Sequence, residues 1–489
     1  MAGSPQLSVV NEDATTIACD ALVVGAFSEA GSFELGATAT GVDAALANTL
    51  SNYLTSSGFK GGVGELAVVP GANGVTADAV AVIGLGERSK ADAAVLRRAA
   101  GSAARRLSER STLGVTIHEA ADGSESAVAE GLLLGSYRFT TYKSDPKPSK
   151  LQRVLFIDAD EDALDRAAIT SEATCLARDL INEPASTLTP EALALRAKET
   201  ADVAGFECTI WDENELRSQG FGGLLGVASG SANPPRFIQM HYKHPGASAK
   251  VALVGKGVTF DSGGLSLKDA ANMETMKTDM GGAAAVIGAM SAIAKLGLKI
   301  EVLAFVPTTE NMPSGTAIRP GDVLTHRGGK TTEVLNTDAE GRLILADALA
   351  FASEQEPDAI VDVATLTGSI MVALGKKATG IFANDDALAH ELEVASARAG
   401  ERFWHMPLYD VYKKELESEV ADYKNVGSRW GGAIIAALFL REFVTDPIPW
   451  AHLDIAGAAR AESDYDENSK GGTGVAVRTL VAWVEGRAG

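Results

Sequence analysis

Short apolar runs alternate with amphipathic stretches along this chain. Residues 21–24 and 79–83 are apolar and rich in β-branched side chains, a pattern that predicts buried strands. From Ala91 to Leu107 the apolar residues recur at helical spacing, which predicts an amphipathic helix with a basic end. Another strand is predicted over 154–157. The first third of the chain is therefore predicted to be an α/β domain.

A longer helical pattern follows, and we expect it to connect two domains. It runs over about 162–182 and ends before Pro184, because the residue that precedes a proline disfavours helical backbone angles. The predicted boundaries are 1–160 for the N-terminal domain, 161–184 for the connecting helix and 185–489 for a larger C-terminal domain.

The C-terminal part repeats the alternation of strand and helix. Strands are predicted near Val251, Val302, Ile360, Ile381 and Leu453, and helices near Ala283 and Ala346. Alternation of this kind predicts a mostly parallel central sheet with helices on both faces. The predicted fold class is therefore α/β, with a smaller N-terminal domain and a larger C-terminal one.

Composition narrows the classes of protein to consider. The chain has 489 residues, of which 46% are hydrophobic, enough for more than one core. The 43 basic and 64 acidic residues give a net charge of −21, which disfavours binding to nucleic acid or to anionic membranes. No apolar run reaches the length of a membrane span, and no secretion signal is visible. Three cysteines at low density suit a reducing compartment, so we expect a cytoplasmic protein.

Several common catalytic patterns are absent from the sequence. The seven histidines include no His-Glu-x-x-His, so the single-zinc protease pattern is excluded. No Gly-x-x-x-x-Gly-Lys-Ser/Thr is present for a nucleoside triphosphate, and no other nucleotide cofactor is predicted. Any chemistry must therefore come from other side chains.

The octet 336–343, Asn-Thr-Asp-Ala-Glu-Gly-Arg-Leu, concentrates charge in a small space. If the segment is extended, Asp338, Glu340 and Arg342 project to the same side. Two adjacent carboxylates are costly unless a cation lies between them. The octet alone leaves two interpretations open, a solvated loop with a local ion pair or part of a metal site.

A second group of charged residues lies about eighty residues upstream. Lys256 and Asp261 follow a predicted strand over 250–254, in a glycine-rich loop at the strand edge where α/β proteins bind ligands. Asp279 precedes a predicted helix, where it is either a helix cap or a ligand. Lys256 is either a neutral nitrogen ligand, its pKa lowered by burial and a dication, or the partner of Asp261 in a salt bridge. The residues alone decide neither question.

Three segments together resemble one known family. They are VGKGVTFDSGGLSLK at 254–268, MKTDMGGAAAV at 276–286 and NTDAEGRLILADAL at 336–349, and they are similar to the leucyl (cytosol) aminopeptidases, which are di-metal exopeptidases. The string NTDAEGRL is highly specific for that family. The resemblance runs in unbroken order from about Arg178 to near the C-terminus, while the first 150 or so residues match loosely.

The resemblance implies a set of metal ligands. One divalent ion, manganese or zinc, is expected at Lys256, Asp261, Asp279 and Glu340. The second is expected at Asp261, Asp338 and Glu340, with help from the Asp338 carbonyl. Four carboxylates in a partly buried cluster carry four negative charges, which two dications would neutralise.

The resemblance also implies a mechanism. A hydroxide that bridges the two metals attacks the peptide bond, while the free α-amine of a short peptide binds one metal. Lys268 faces the substrate and stabilises the oxyanion, and Arg342 holds a bicarbonate that carries the proton. The expected enzyme is a leucyl aminopeptidase that favours leucine and other apolar N-terminal residues.

The substrate pocket and the assembly are likewise implied by resemblance. Met276, Thr365 and Ala459 are expected to line the pocket, with backbone from Leu366 and Gly368. Ala459 is smaller than the residue often found in relatives, so a roomier pocket is our hypothesis. A homohexamer with an inner cavity is also implied.

Two other functions are alternatives. A DNA-binding role would need a basic stripe, and Arg97, Arg98, Arg105, Arg106 and Arg110 are predicted to cluster on one helix. Their helical spacing instead favours a solvated face, and the net charge opposes DNA binding. A different di-metal hydrolase, such as a phosphatase, is the other alternative, and the peptidase motifs argue against it.

Overall fold

A computed structural model describes residues 5–488. These residues form two compact units, one made of residues 5–175 with 462–470 and the other of residues 176–461 with 471–488. The long helix Glu161–Asn182 confirms the helical pattern predicted between the two domains. The exact domain boundaries stay a prediction.

The first unit is a mixed sheet with helices. Its strands, numbered β1–β7 in chain order, are Gln6–Val10, Ala21–Glu29, Ser32–Leu35, Leu66–Pro70, Ala79–Glu87, Thr112–Val115 and Arg153–Ile157. Its helices α1–α4 are Ala37–Ala45, Thr49–Ser57, Ala93–Arg106 and Glu125–Ser136, and Glu161–Asn182 is α5. The sheet order is β1-β7-β6-β2-β5-β4, with β3 paired to β2.

Alternation along β2 builds a core on each face of this sheet. Val23 packs in one core with Leu96 of α3, while its neighbour Val24 packs in another with Leu50 of α2. Successive side chains of a strand point to opposite faces, so an uninterrupted apolar run needs apolar partners on both. The predicted strands and the amphipathic helix of this part are confirmed.

The predicted basic face of α3 is only partly solvated. Arg97 is buried, and its Nε donates to Glu130 Oε2 at 2.8 Å. Thr170 Oγ1 donates to the other oxygen of Glu130 at 2.9 Å. Arg110 follows the end of the helix at Arg106. The five arginines therefore do not form one exposed stripe, because the first of them compensates a buried carboxylate.

The second unit carries the larger sheet. Its strands β8–β21 are Glu207–Trp211, Arg236–Lys243, Lys250–Gly255, Gly257–Asp261, Glu301–Asn311, Val323–Thr325, Thr331–Glu333, Ala359–Ala364, Thr379–Ala383, Phe403–His405, Tyr423–Lys424, Trp450–Asp454, Arg460–Ala461 and Gly471–Gly472. Its helices α6–α15 are Pro190–Ala204, Glu213–Ser218, Gly222–Ala228, Ala270–Met273, Gly281–Lys295, Gly341–Ser353, Gly368–Leu374, Asp386–Ala399, Gly432–Arg441 and Val477–Arg487.

The centre of this sheet is parallel, as predicted. The order is β17-β16-β19-β15-β10-β12-β9-β8, with β11 on β12, and β12, β10, β15 and β19 run parallel to one another. Ala252 and Val254 of β10 share a core with α11 and α14, and α10 also contacts β10 and β15. Because these strands are covered by helices, their carboxyl ends form the edge where α/β folds bind ligands.

None of the helices within residues 5–488 combines the length and the apolarity needed to cross a membrane.

Candidate metal centre

Charged side chains gather at the carboxyl edge of the parallel strands. Lys256 directly follows β10, as predicted, and its backbone N–H donates to Val363 O of the neighbouring β15 at 3.0 Å. Asp261 differs from the prediction, because it ends a short strand of its own instead of lying in a loop. The cause is β12, which is long enough to pair with Gly257–Asp261 beyond the end of β10.

Three of the predicted carboxylates form one compact group. Oxygen atoms of Asp261, Asp338 and Glu340 all lie within 4.8 Å of one another. Asp261 and Glu340 are buried, and Asp338 is partly exposed. Like charges at this separation repel strongly in a buried site, so the cluster needs cations.

The octet that carries two of these carboxylates is not extended, which corrects the prediction. It makes a turn, and helix α11 begins at Gly341. Glu340 is the residue before the helix, and Arg342 lies in its first turn. The residues that follow, Leu343, Ile344 and Leu345, are all buried in the core, so helix packing and not strand alternation places them.

Lys256 connects two of the predicted carboxylates, Asp279 and Glu340. Its Nζ lies 2.8 Å from Asp279 Oδ2 and 2.8 Å from Glu340 Oε1, and it donates to Thr365 O at 3.0 Å. The predicted alternative of a salt bridge to Asp261 is wrong, because two other carboxylates are closer in the fold. Burial alone would lower the pKa of Lys256, but Asp279 and Glu340 outweigh it and hold the pKa above its usual value.

Two glycines make room for this lysine. A Cβ on Gly341 would lie 2.7 Å from Lys256 Nζ, and a Cβ on Gly282 would lie 1.9 Å from Val363 O and 2.9 Å from Lys256 N. All three distances are too short for real Cβ atoms, so only glycine fits against the backbone at Gly282, and a side chain at Gly341 would have to displace the lysine ammonium. The glycine-rich motifs of the sequence therefore serve close packing around the lysine.

Asp279 is linked to the cluster through Lys256 and is not a helix cap. The residue at the N-cap of α10 is Met280, and no side chain caps this helix. Asp279 Oδ1 instead accepts a hydrogen bond from Thr365 Oγ1 at 2.7 Å. Burial raises the pKa of Asp279 well above its usual range, with Lys256 opposing that shift.

Lys268 connects the other two carboxylates. Its Nζ lies 2.8 Å from Asp261 Oδ2 and also contacts Asp338 Oδ1 closely. Burial would lower its pKa, but the carboxylates of Asp261 and Glu340 outweigh burial and hold the pKa above the usual value. Lys268 is therefore protonated at neutral pH.

The cluster fits divalent cations. Asp279 Oδ2 and Glu340 Oε1 are buried, and within residues 5–488 they have no partner apart from the Lys256 ammonium, which lies 2.8 Å from each. Burial also raises the pKa values of Asp261 and Asp338. Carboxylate oxygens are the ligands that manganese and magnesium prefer, and zinc accepts them together with nitrogen.

Arg342 presents an unused donor. Its side chain is buried, NH1 donates to Asn425 O at 2.6 Å, and in the described part of the chain Nε donates no hydrogen bond. Burial lowers the pKa of Arg342 to about 10, so the guanidinium stays charged at neutral pH. A buried cation with a free N–H is suited to hold a small anion.

The predicted pocket residues have different surroundings. Thr365 and Ala459 both lie beside Gly281. A Cβ on Gly281 would lie 3.4 Å from Ala459 Cβ and 3.5 Å from Thr365 Cγ2. Met276 and Leu366 are partly exposed. Gly368, the first residue of α12, is exposed.

Sequence reasoning missed two buried residues at this edge. Asn311 ends β12 and donates to Asp261 Oδ1 at 2.8 Å. Asp454 ends β19 and accepts from Thr367 Oγ1 at 2.7 Å and from Leu366 N at 3.2 Å. Each is a polar residue that closes an apolar run, which is a signal the sequence does contain.

Comparison with known proteins gives a consistent result. A family model described as the cytosol aminopeptidase family, catalytic domain, matches residues 175–481, and one described as the N-terminal domain of that family matches residues 23–146. A probable cytosol aminopeptidase of Streptomyces coelicolor is 45% identical, over 98% of this chain and 98% of that protein. One of Nocardia farcinica is 48% identical, over 89% of this chain and 88% of that protein.

Comparison with solved structures leads to the same family. The bottromycin maturation enzyme BotP in complex with Mn has a TM-score of 0.87 and 42% identity, over 96% of this chain and 100% of that one. A mutant of tomato leucine aminopeptidase has a TM-score of 0.90 and 35% identity, over 99% of this chain and 97% of that one. The chain therefore belongs to the cytosol aminopeptidase family, whose members are metal-dependent enzymes that hydrolyse peptides from the N-terminus.

Proposed function

We propose that this chain is a leucyl aminopeptidase that removes leucine and other apolar N-terminal residues from short peptides. The observation that carries the proposal is the group of four carboxylates, three of them buried, that Lys256 and Lys268 bridge at the carboxyl edge of the sheet. Such a group is costly in a folded protein unless cations complete it. Bound metal ions would offset the repulsion between these carboxylates, which explains why the fold brings them together.

The proposed cofactor is a pair of divalent ions, manganese or zinc. Lys256, Asp261, Asp279 and Glu340 would hold one ion, and Asp261, Asp338 and Glu340 the other. The oxygen cluster and the manganese in the BotP complex support this proposal. When bound, such a pair supplies a nucleophile from water at neutral pH and polarises the scissile carbonyl.

Lys268 and Arg342 have complementary roles in this proposal. Lys268 lies at the rim of the cluster, with 13% of its side chain exposed, and its raised pKa keeps a positive charge where an oxyanion would develop. Arg342 would hold a bicarbonate through its free Nε, and that anion would carry the proton from the attacking water to the leaving amine. Both residues keep their charge throughout.

The preference for apolar N-terminal residues rests on the pocket. Met276 and Thr365 would line it, with backbone from Leu366 and Gly368, and the small Ala459 leaves room for a large side chain. We expect leucyl, methionyl and phenylalanyl amides to be hydrolysed faster than alanyl amide. A strong preference for the alanyl substrate would contradict the roomy pocket.

The decisive experiment titrates the metal-free protein with zinc, manganese, cobalt and magnesium ions against leucyl-p-nitroanilide. Hydrolysis should depend on the added metal, and N-acetyl-leucyl-p-nitroanilide should not be hydrolysed, because its amine is blocked. Hydrolysis of the acetylated substrate, or full activity without metal, would refute the proposed function. Activity on phosphate esters in place of peptides would favour the phosphatase alternative.

We further propose that the chain assembles into a homohexamer in the cytoplasm. The second unit exposes several large apolar side chains, including Val372, Val411 and Trp430, and exposed apolar surface is typical of subunit interfaces. The names of the relatives favour the cytoplasm. Light scattering should give a mass close to six chains, and the mass of a single chain would contradict the assembly.

A further inference from the structure

One buried amide joins the two segments that carry the carboxylates. Asn311 is the last residue of β12 and is almost fully buried. Its Nδ2 donates to Asp261 Oδ1 at 2.8 Å and to Thr337 O at 2.9 Å. Both partners are acceptors, so the nitrogen of the amide must point towards them.

The first of these bonds fixes the orientation of Asp261. The same oxygen, Asp261 Oδ1, also accepts from Gly263 N at 2.8 Å, whereas Oδ2 faces Lys268. Two neutral donors therefore hold one oxygen, and the other is directed into the cluster. A carboxylate held in this way cannot rotate without losing a buried hydrogen bond.

The second bond fixes the segment that precedes Asp338. Thr337 O accepts from Asn311, and Thr337 Oγ1 donates to Gly263 O at 2.6 Å. A Cβ on Gly264 would lie 2.8 Å from Asn311 Oδ1, so the segments pack closely around the amide. Asn311 thus ties two ligand segments that are far apart in the sequence.

The backbone of Asn311 is held independently of its side chain. Asn311 O accepts from Ser262 N at 3.0 Å and from Ser262 Oγ at 2.7 Å. Replacement of the side chain therefore leaves the pairing of β11 with β12 in place. This separation makes the role of the amide testable in a folded protein.

We propose that Asn311 is a positioning residue for the metal centre, an inference that rests on the proposed function. It acts through Asp261 and the Thr337–Asp338 segment, to which its amide donates. A neutral donor suits this position, because a fifth carboxylate would add repulsion and a third ammonium would compete with the metals for the oxygens.

The test measures manganese affinity directly. Asn311→Leu removes both donors at similar size, and Asn311→Ala removes them and leaves room for water, in case leucine prevents folding. Loss of a residue that orients a metal ligand typically weakens binding by about 10- to 100-fold, and we expect this loss in chelator-competition titrations with Mn²⁺. Asn233→Leu is the matched control, because Asn233 donates to Glu310 Oε1 at 3.1 Å, outside the cluster.

The outcomes separate this inference from the proposed function. If the unmodified chain binds neither Mn²⁺ nor Zn²⁺ in this titration, both are overturned. If it binds Mn²⁺ and both Asn311 variants bind with unchanged dissociation constants, only the positioning role is overturned, even where the variants lower the melting temperature of the metal-free protein. Weaker Mn²⁺ binding in the Asn311 variants, with unchanged binding in the Asn233 control, supports the role.

Discussion

Replacement of Lys268 by methionine should separate the role of its charge in stability from its role in catalysis. The ammonium lies 2.8 Å from Asp261 Oδ2 and also contacts Asp338 Oδ1. Methionine has a similar length and no charge, so Lys268→Met leaves two carboxylates without their cation. The same change removes the donor that we assign to the oxyanion.

The loss of stability that Lys268→Met causes in the metal-free protein can be estimated from the burial of the ion pairs that it breaks. Removal of one partner of a buried ion pair costs about 3–5 kcal/mol. The side chain of Asp338 is 33% exposed, so water screens it and we expect the lower end, about 3 kcal/mol. With manganese bound, the dications compensate the same carboxylates and most of this cost should vanish.

The catalytic effect should persist when the metal is bound. Loss of one oxyanion donor typically lowers kcat by about 10²–10³, which is about 2.7–4 kcal/mol. We therefore expect Lys268→Met to have near-normal stability and a strongly reduced kcat at saturating Mn²⁺. Thermal unfolding with and without Mn²⁺ gives the first quantity, and hydrolysis of leucyl-p-nitroanilide gives the second.

Lys277→Met is the control for this experiment. Lys277 is also half-buried and donates to Asn182 O, outside the cluster. Its loss should leave kcat unchanged. The reasoning about charge would be refuted if the stability loss of Lys268→Met were equally large with Mn²⁺, and the catalytic role would be refuted if kcat were unchanged.

Three other predictions concern space, pH and metal. Gly341→Ala should reduce Mn²⁺ affinity in the same titration, because its Cβ would lie 2.7 Å from Lys256 Nζ, whereas Gly315→Ala, with open space around it, should not. Burial would lower the pKa of His452, but Asp362 at 2.5 Å outweighs burial and raises the pKa. The pair therefore stabilises the fold fully below the unfolded pKa of about 6.5, and this stabilisation is lost as pH rises through the folded pKa. The melting temperature should fall over that pH range, and His452→Asn should flatten the fall. The pKa values of the clustered aspartates are raised, so the metal-free protein loses stability as pH rises from about 3.8 through those values. Mn²⁺ should therefore raise the melting temperature more at neutral pH than near pH 4, and an equal shift would contradict this.

The sequence predicted the central strands and placed charged residues directly after them. Apolar runs located the central strands, because parallel strands covered on both faces need unbroken apolar sequence. The charged residues that follow those runs then fall at one edge of the sheet. Lys256 illustrates this, since its place after β10 follows from the run 250–254 alone.

The pairing within the site could not be predicted, because it depends on tertiary distances. Lys256 contacts Asp279 and Glu340, which lie far along the chain, although Asp261 is nearer in sequence. Arg97 was expected to be solvated and is instead buried against Glu130. In each case the sequence offers a long charged side chain several carboxylates, and only the packing of helices and strands selects its partners.

The two lysines offset part of the charge of the four carboxylates. Each lysine joins carboxylates from two different segments, Lys256 linking Asp279 with Glu340 and Lys268 linking Asp261 with Asp338. Two positive charges hold four negative ones in place, which leaves a net negative site that attracts cations. Lys256 must release its proton before its nitrogen can bind a metal, so metal affinity should rise with pH and binding should release protons. Calorimetric titration in buffers of different ionisation enthalpy would measure that release, and a proton count of zero at neutral pH would exclude Lys256 as a ligand.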